Sequence, residues 1–374
     1  MPVDYFTLLK GDFMNKKMFI SALLVSQIGL LNANVDTKVT NSIQHYSDHA
    51  GHFVVKSEDN NFSLGFKGLL QQKTEVSYST KDKNMGMSFL IPKARLSMFG
   101  KAFHPNINYF VQTQFEQSDS AIKSSFKTST KKYQVEGSNH LEDFYVNVGM
   151  QDQGFHLRFG KFTLPFSRHY MVSGAQLRSP MHTLARSYFS ITHHNKDIGL
   201  MMHSGFNMPL EYALAVVSNG LVGRLGYNHK GIDAFELVDF HGGDARFGVG
   251  VGGFLHTDGY KFKEINDYRA TIDGIFKFKN TSSHAEVYYM NKDKTQAFGA
   301  NVDVGYLYNK HVEPVVHYSV IKPSIDKDDM LHEIDFGANY YIYEHHFKAQ
   351  PYVGVNMLPN NNQIKGGVQL QFAF

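Results

Sequence analysis

The sequence contains no cysteine and no tryptophan among its 374 residues, and only 10 prolines. Without cysteine, the chain forms neither disulfides nor thiolate metal sites, and it has no cysteine nucleophile. Its 37 basic and 34 acidic residues leave a formal net charge of +3, too small to indicate a nucleic-acid-binding surface. We therefore expect no nucleic-acid partner, and no motif indicates a cofactor. A hydrophobic content of 42% is nevertheless ample for a large folded core.

The chain also lacks an apolar run of the roughly 20 residues that a transmembrane helix needs. Near the N-terminus, two lysines precede an apolar stretch from Met18 to Leu31. This pattern predicts a secretory signal peptide within residues 1–33, with cleavage after Ala33 and a membrane anchor as the alternative. We expect translation to begin at Met14. A mean hydropathy of −0.31 argues against a helical membrane protein. A membrane β-barrel stays allowed, because only alternate residues of its strands face lipid.

Apolar and polar residues alternate with a period of two along most of the chain, which indicates β-strands. Near the C-terminus, for example, Val368 and Phe372 share one face while Gln369 and Gln371 share the other. Sixteen such segments fit between residues 62 and 374, most near the ~9–11 residues of a tilted transmembrane strand. We therefore predict an all-β fold, an antiparallel transmembrane barrel of about 16 strands over 62–374, preceded by a short periplasmic arm at 34–61.

Connections in such a barrel should alternate between short periplasmic turns and longer external loops. Residues 73–86 and 163–195 are predicted as external loops, whereas 230–243 is long for a periplasmic turn and the connection near 219–221 is short for an external one. The 21 tyrosines and 31 phenylalanines recur near strand ends, which predicts aromatic girdles at both membrane interfaces. The girdle candidates include Tyr288, Tyr289, Tyr306, Tyr308, Tyr340, Tyr341 and Tyr343.

Several segments resemble a known family in order and spacing. They read "IPKARLSMFGKAFHPNINYFVQTQFE" at 91–116, "LEDFYVNVG" at 141–149, "LRFGKFTLPFSRH" at 157–169, "LARSYF" at 184–189 and "KDIGLMMHSG" at 196–205. This pattern resembles the phosphate-selective porins of the O and P type, which are outer-membrane anion channels.

The resemblance implies a sixteen-stranded barrel, usually trimeric, whose loop after the fifth strand folds inward and narrows the pore. It also implies insertion into outer-membrane lipid by the barrel-assembly machinery, with the terminal Phe374 as the assembly signal. The chain departs from the family pattern at Ser167, His169 and Lys196.

Residues 153–196 contain no aspartate or glutamate but several arginines and lysines. If the loop at 163–195 folds into the lumen, its arginines line the narrowest part of the pore. A ring of such cations lowers the barrier for an anion and raises it for a cation. The candidates from this stretch are Arg158, Lys161, Arg168, Arg178 and Arg186, with Lys161 placed either at the pore or at the outer rim.

Strand alternation adds Lys67, Lys93 and Arg95 to the pore wall, although ordinary solvated lumen charges would show the same pattern. Acidic side chains are also expected to face inward, so the wall opposite is mixed in charge. The inward-facing charges expected there are Asp267, Arg269, Asp273, Glu333 and Asp335.

The predicted function is a passive porin for small hydrophilic solutes, with a preference for anions such as phosphate or chloride, and no enzyme. A non-conducting structural barrel or adhesin is the alternative. A barrel hydrolase, with Ser190, His193, His194 and Asp197, is a weaker one. His45, His49 and His52 form a weak candidate metal site by their spacing.

Overall fold

The computed structural model describes residues 53–117, 124–125, 137–150, 154–180, 183–192, 195–257, 267–325, 329–359 and 361–374. The predicted signal peptide at 1–33, residues 34–52 of the predicted arm, and the histidines at 45, 49 and 52 lie outside the described residues. No helix in the described part of the chain is long and apolar enough to cross a membrane.

The described residues form eighteen β-strands. They are β1 (Phe53–Lys56), β2 (Ser63–Ser79), β3 (Asn84–Ala102), β4 (His104–Gln117), β5 (Ser124–Ser125), β6 (Gly137–Met150), β7 (Phe155–Thr163), β8 (Lys196–His203), β9 (Leu210–Val217), β10 (Gly220–Asn228), β11 (Arg246–His256), β12 (Asp267–Phe278), β13 (Thr281–Lys292), β14 (Thr295–Tyr306), β15 (Val312–Lys322), β16 (Leu331–Tyr343), β17 (Phe347–Leu358) and β18 (Asn361–Ala373).

Sixteen of the described strands form a closed antiparallel barrel. Each pairs with its neighbours along the chain, and β18 pairs with β2 to close the sheet. The other two are short additions, β1 against β2 and β5 against β3. The predicted all-β class and strand count are therefore confirmed.

Burial shows which face of each strand points outward. Along β12 buried and exposed residues alternate, with Ile272 64% exposed and Asp273 2% exposed. The barrel is thus apolar outside and polar inside, the reverse of a water-soluble core, because lipid rather than water surrounds a membrane barrel.

The girdle prediction was wrong for two tyrosines. Tyr288 and Tyr341 have no exposed surface and lie on the inward parity of β13 and β16. Tyr306, Tyr308 and Tyr340 are about half exposed, between 49% and 57%. A shift of one residue along a strand reverses the face, so adjacent tyrosines point to opposite sides.

Two predicted connections differ in the structure. Residues 73–86 are mostly strand, because β2 and β3 extend to 17 and 19 residues and leave only a short turn at 80–83. The long connection after β10, residues 229–245, carries the buried apolar side chains Ile232, Leu237 and Phe240. It packs as an internal element and is called the lower segment below.

The connection between β7 and β8, the fifth and sixth barrel strands, holds two short helices, α1 (Arg168–Met171) and α2 (Leu184–Tyr188). We call residues 164–195 the crossing loop; it is described at 164–180, 183–192 and 195. Ser167 caps α1 by accepting from the Tyr170 amide at 3.4 Å, and Thr183 caps α2 by accepting from the Arg186 amide at 3.1 Å.

Candidate channel site

The crossing loop contacts inward-facing side chains of distant strands. Its Gly174 carbonyl accepts from Gln71 of β2 at 3.0 Å, and its Leu177 carbonyl accepts from Lys348 of β17 at 2.8 Å. The Leu184 amide donates to Glu333 of β16 at 2.7 Å. Phe166 and Phe189 of the loop belong to an apolar cluster with side chains of β8–β15, such as Met201 and Tyr288.

Two loop arginines are anchors rather than pore-lining groups. Arg168 has no exposed surface and its Nε donates to Asp273 Oδ1 of β12 at 2.9 Å. Arg178 is 2% exposed; its Nε lies 2.9 Å from Glu313 Oε1 of β15, and its Nη1 also bonds Asp303 of β14. The expectation that these two guanidinium groups line the pore is therefore wrong. Both guanidinium groups instead form ion pairs with buried carboxylates.

The same contacts explain why the loop contains no acid. The inner faces of β9–β16 carry buried carboxylates, and an aspartate in the loop would meet them without water to screen the repulsion. These acids are Glu211, Asp267, Asp273, Glu286, Asp303, Glu313, Glu333 and Asp335. The inward placement expected for four of them, and for Arg269, is confirmed.

The lower segment joins the crossing loop. Arg168 Nη1 donates to the Ala234 carbonyl at 2.8 Å, and Gln176 Nε2 donates to Glu236 Oε2 at 3.2 Å. Val172 and Leu177 of the loop share a buried cluster with Ile232 and Leu237. Two insertions from opposite ends of the barrel thus meet against one side of its interior.

Gly252 of β11 gives a stability prediction for the loop. A Cβ there would lie 1.9 Å from the Phe166 carbonyl oxygen, whereas a Cβ at the adjacent Gly253 would meet no atom beyond its chain neighbours closer than the Arg269 carbonyl oxygen at 4.0 Å. We expect Gly252→Ala to displace the crossing loop and to cost about 1–3 kcal/mol of unfolding free energy by overpacking. Urea unfolding of the refolded barrel measures this cost, with Gly253→Ala as the matched control; equal stability of the two variants would refute the close contact.

The opposite side of the interior encloses a cavity of about 1120 Å³. It lies between the crossing loop and the inner faces of β2, β3, β4 and β6. Among the described residues that line it, six side chains are cationic and one, Asp143, is acidic. The cations are Lys67, Lys73, Lys93, Arg95, Arg186 and Lys196.

Three of these cations follow one another along the wall. In the pairing of β2 with β3, Lys67 lies opposite Ser97, Arg95 opposite Leu69, and Lys93 opposite Gln71. Inward positions recur about every 7 Å along a strand, so the three charges form successive steps. We call Lys67, Arg95 and Lys93 the basic ladder. A Cβ built on Gly174 would lie 2.3 Å from Lys93 Nζ, so this step touches the crossing loop.

Arg186 faces the ladder from α2 of the crossing loop. Its guanidinium carbon lies 4.8 Å from the ring centroid of Tyr170, and its Nε is buried with no hydrogen-bond partner. Burial lowers the pKa of the Arg186 guanidinium. Arg186 is thus the loop arginine that the structure brings to the cavity.

Arg158 and Lys161 of β7 lie apart from this cavity. Arg158 points inward and packs on the ring of Tyr145 at 4.2 Å, but it does not line the cavity. Lys161 lies on the outward parity, next to the half-exposed Phe159, and its Nζ donates to the Leu141 carbonyl at 2.5 Å. Its placement at the pore is therefore wrong, and the outer-rim alternative fits.

Lys73 and Lys196 were missed as lining residues by sequence reasoning. Lys73 shares the inward parity of Lys67 on β2 and pairs with Glu75 at 3.3 Å, so alternation alone could have found it. Lys196, the departure from the family pattern, lies 2.5 Å from Asp143 Oδ2 and 3.5 Å from Glu142 Oε2. These pairings reduce the charge that both lysines present to a solute.

Other candidate chemistry finds less support in the described residues. His317, Glu333 and Asp335 have ligand atoms within 4.8 Å of one another, but Lys365 Nζ lies 2.7 Å from Glu333 and 3.2 Å from Asp335. An ammonium group therefore already occupies the place of a cation. For the hydrolase alternative, Asp197 accepts a hydrogen bond from Asn219 Nδ2 at 2.7 Å. The histidines at 193 and 194 lie outside the described residues.

The terminal residue packs on the start of the barrel. Phe374 exchanges backbone hydrogen bonds with Gly68 of β2 at 2.8 and 3.1 Å. A Cβ at Gly68 would lie 2.4 Å from the Phe374 ring, so glycine leaves room for this aromatic side chain, which is 55% exposed on the outer surface.

Comparison with known proteins agrees with this architecture. Residues 68–230 match the family described as "Phosphate-selective porin O and P", a stretch from β2 to just after β10 that includes the resemblance at 91–205. No curated protein matches the chain in sequence.

Solved porin structures share the fold at low identity. An anion-selective porin from Comamonas acidovorans is 8% identical with a TM-score of 0.55, covering 84% of this chain and 100% of that chain. OmpF of Salmonella typhi in complex with daunomycin is 11% identical with a TM-score of 0.56, covering 84% and 99%. The trimer form of Vibrio cholerae OmpT, folded in vitro, is 8% identical with a TM-score of 0.53, covering 84% and 99%.

At these identities the structures establish the fold alone, and the family resemblance comes from the sequence match. Over residues 68–230 the chain therefore has the sequence pattern of the phosphate-selective porin O and P family, on the barrel fold of the solved porins.

Proposed function

We propose that this porin is a passive channel that prefers anions and conducts them between the basic ladder and the crossing loop. The observation that carries this proposal is the excess of six cationic over one acidic side chain around the cavity. Seven of the eight buried acids of the opposite wall pair with Arg168, Arg178, Arg224, Arg269 or Lys365, and the eighth, Glu286, lies 3.1 Å from His284, so they contribute little field at the passage. Low-dielectric walls focus the remaining positive field on a permeating ion.

The successive steps of the ladder suit conduction. Transport requires binding that is favourable enough for entry and weak enough for release, which several modest sites satisfy better than one tight pocket. Arg95 and Arg186 add planar guanidinium groups, which suit an oxyanion such as phosphate. The Nε of Arg95 donates to Gln114 and its Nη2 lies 3.8 Å from Glu142 Oε2, so at most its remaining N–H groups are offered to a solute. Chloride and phosphate are therefore both proposed solutes.

A potassium chloride gradient across a planar bilayer tests this proposal. With purified protein inserted, we expect a zero-current potential of the sign set by chloride. Phosphate added to the same membrane should then reduce the chloride current if its oxygens bind the ladder. A potential of the sign set by potassium would mean that the acidic wall governs selectivity and would defeat the proposal.

A plugged, non-conducting barrel is the second candidate. The crossing loop and the lower segment both occupy the interior, and they are held together by the Arg168 and Gln176 contacts described above. Properly folded protein that gives no conductance steps in the bilayer would favour this reading over the channel.

We also propose export by a signal peptide at residues 1–33, recognition of Phe374 by the barrel-assembly machinery, and a homotrimer in outer-membrane lipid. The trimer form of the Vibrio cholerae OmpT fold supports the oligomer. Strands β8 and β9 have only eight residues each, less than the ~9–11 that a tilted strand needs to cross the hydrocarbon layer. A low wall of this kind suits contact with a neighbouring copy.

A further inference from the structure

The wall that faces the basic ladder carries apolar side chains as well as Arg186 and several hydroxyl groups. The crossing loop contributes Met171, Val172, Leu177 and Ile191 to the lining of the same cavity. An inorganic anion keeps its hydration shell and gains little from such a surface, whereas an apolar group gains free energy by leaving water. The cavity therefore offers apolar side chains of the loop in addition to its cationic groups.

An aromatic surface adjoins the first step of the ladder. Phe110 of β4 and Tyr145 of β6 both line the cavity, both are partly exposed, and their ring centroids lie 5.5 Å apart at 30°. Lys67 Nζ lies 4.9 Å from the centroid of Phe110. A third ring can pack on such a pair at the usual 4.5–7 Å separation while its charged substituent stays beside the lysine.

We propose that the channel selects organic anions, with an oxyanion head on the basic ladder and an apolar or aromatic body against Phe110, Tyr145 and the crossing loop. The recognition of the head rests on the proposed anion preference, and the recognition of the body is additional to it. The head is a carboxylate, sulfonate or phosphate ester, which present the same oxygen acceptors to Lys67, Arg95 and Lys93.

Benzenesulfonate and methanesulfonate test the body alone, because they share one permanently ionised head and differ only in the apolar group. Each is added to purified protein in a planar bilayer, and the concentration that halves the chloride current is measured. We expect benzenesulfonate to do so at roughly tenfold lower concentration, the effect of removing about 55 Å² of apolar surface from water.

Phe110→Leu should bring the two concentrations closer to each other. Tyr306→Leu, at a lipid-facing aromatic residue that is 49% exposed, is the matched control and should keep the tenfold ratio. If the two sulfonates halve the chloride current at equal concentrations in the unmodified protein, the inference is overturned. The same holds if they act equally and phosphate halves the current at a lower concentration than either. If the zero-current potential still has the sign of chloride in that case, the proposed anion channel stands and only the preference for an organic body fails.

Discussion

Replacing Arg178 with methionine is expected to lower the free energy of unfolding by about 3–5 kcal/mol and to raise the single-channel conductance. The substitution removes one partner from a buried ion-pair set and leaves Asp303 and Glu313 without their guanidinium. The Leu237 carbonyl of the lower segment loses its donor in the same change. Both insertions then lose a common anchor, so the interior should open.

Urea unfolding and single-channel recording of the refolded protein measure the two effects. A triple variant, Arg178→Met with Asp303→Asn and Glu313→Gln, removes the unpaired charges and should recover part of the stability. Arg246→Met is the comparison variant, because Arg246 pairs with Asp239 at 2.6 Å but its side chain is 17% exposed, against 1% for Arg178, so water reaches this pair and its loss should cost less. Loss of stability in Arg246→Met equal to that in Arg178→Met would contradict the anchoring role.

The second large effect is expected from the basic ladder. Replacing Lys93 and Arg95 together with glutamine should lower the anion-to-cation permeability ratio by about tenfold or more, because the change weakens the attraction of anions and the repulsion of cations together. Two unit charges about 6 Å from a permeating anion contribute about 0.7 kcal/mol each at the dielectric constant of water. The zero-current potential in a potassium chloride gradient gives the ratio directly.

Salt and position provide the controls for this variant. The difference from the unmodified protein should shrink in 1 M salt, where the Debye length falls to about 3 Å. Lys294→Gln removes a charge from the exposed turn between β13 and β14 and should leave the ratio close to its original value. An unchanged ratio in the Lys93 and Arg95 variant, with normal conductance, would remove the ladder from the selectivity mechanism.

Strand alternation predicted the inward face of the barrel well, because side-chain direction in a strand depends only on parity and register. Lys67, Lys93 and Arg95 could be placed on the wall in this way, as could Asp273 and Glu333 on the wall opposite. Tyr288 and Tyr341 show the limit of the method. Residue type and position near a strand end predict a girdle, but parity decides which side of the barrel each ring faces.

The loop residues could not be placed by the same reasoning, because a segment without a period has no face to predict. Arg168, Arg178 and Arg186 look alike in the sequence, with no acid beside any of them. Two of them neutralise buried carboxylates more than 100 residues away along the chain, and the third lies at the cavity. Which arginine meets which acid depends on where the strands bring those acids.

By itself the sequence determined an antiparallel sixteen-stranded barrel of the porin type. The signals behind this prediction are the alternation, the strand lengths and the segments at 91–205, and each depends only on residues close in the chain or on neighbouring strands. Only the tertiary structure decided how the interior is divided. The crossing loop and the lower segment meet the acidic wall of β9–β16, where charge neutralisation and apolar burial hold them. The cationic wall of β2 and β3 is left facing the cavity, because a basic loop gains its ion pairs on the acidic side and not beside like charge.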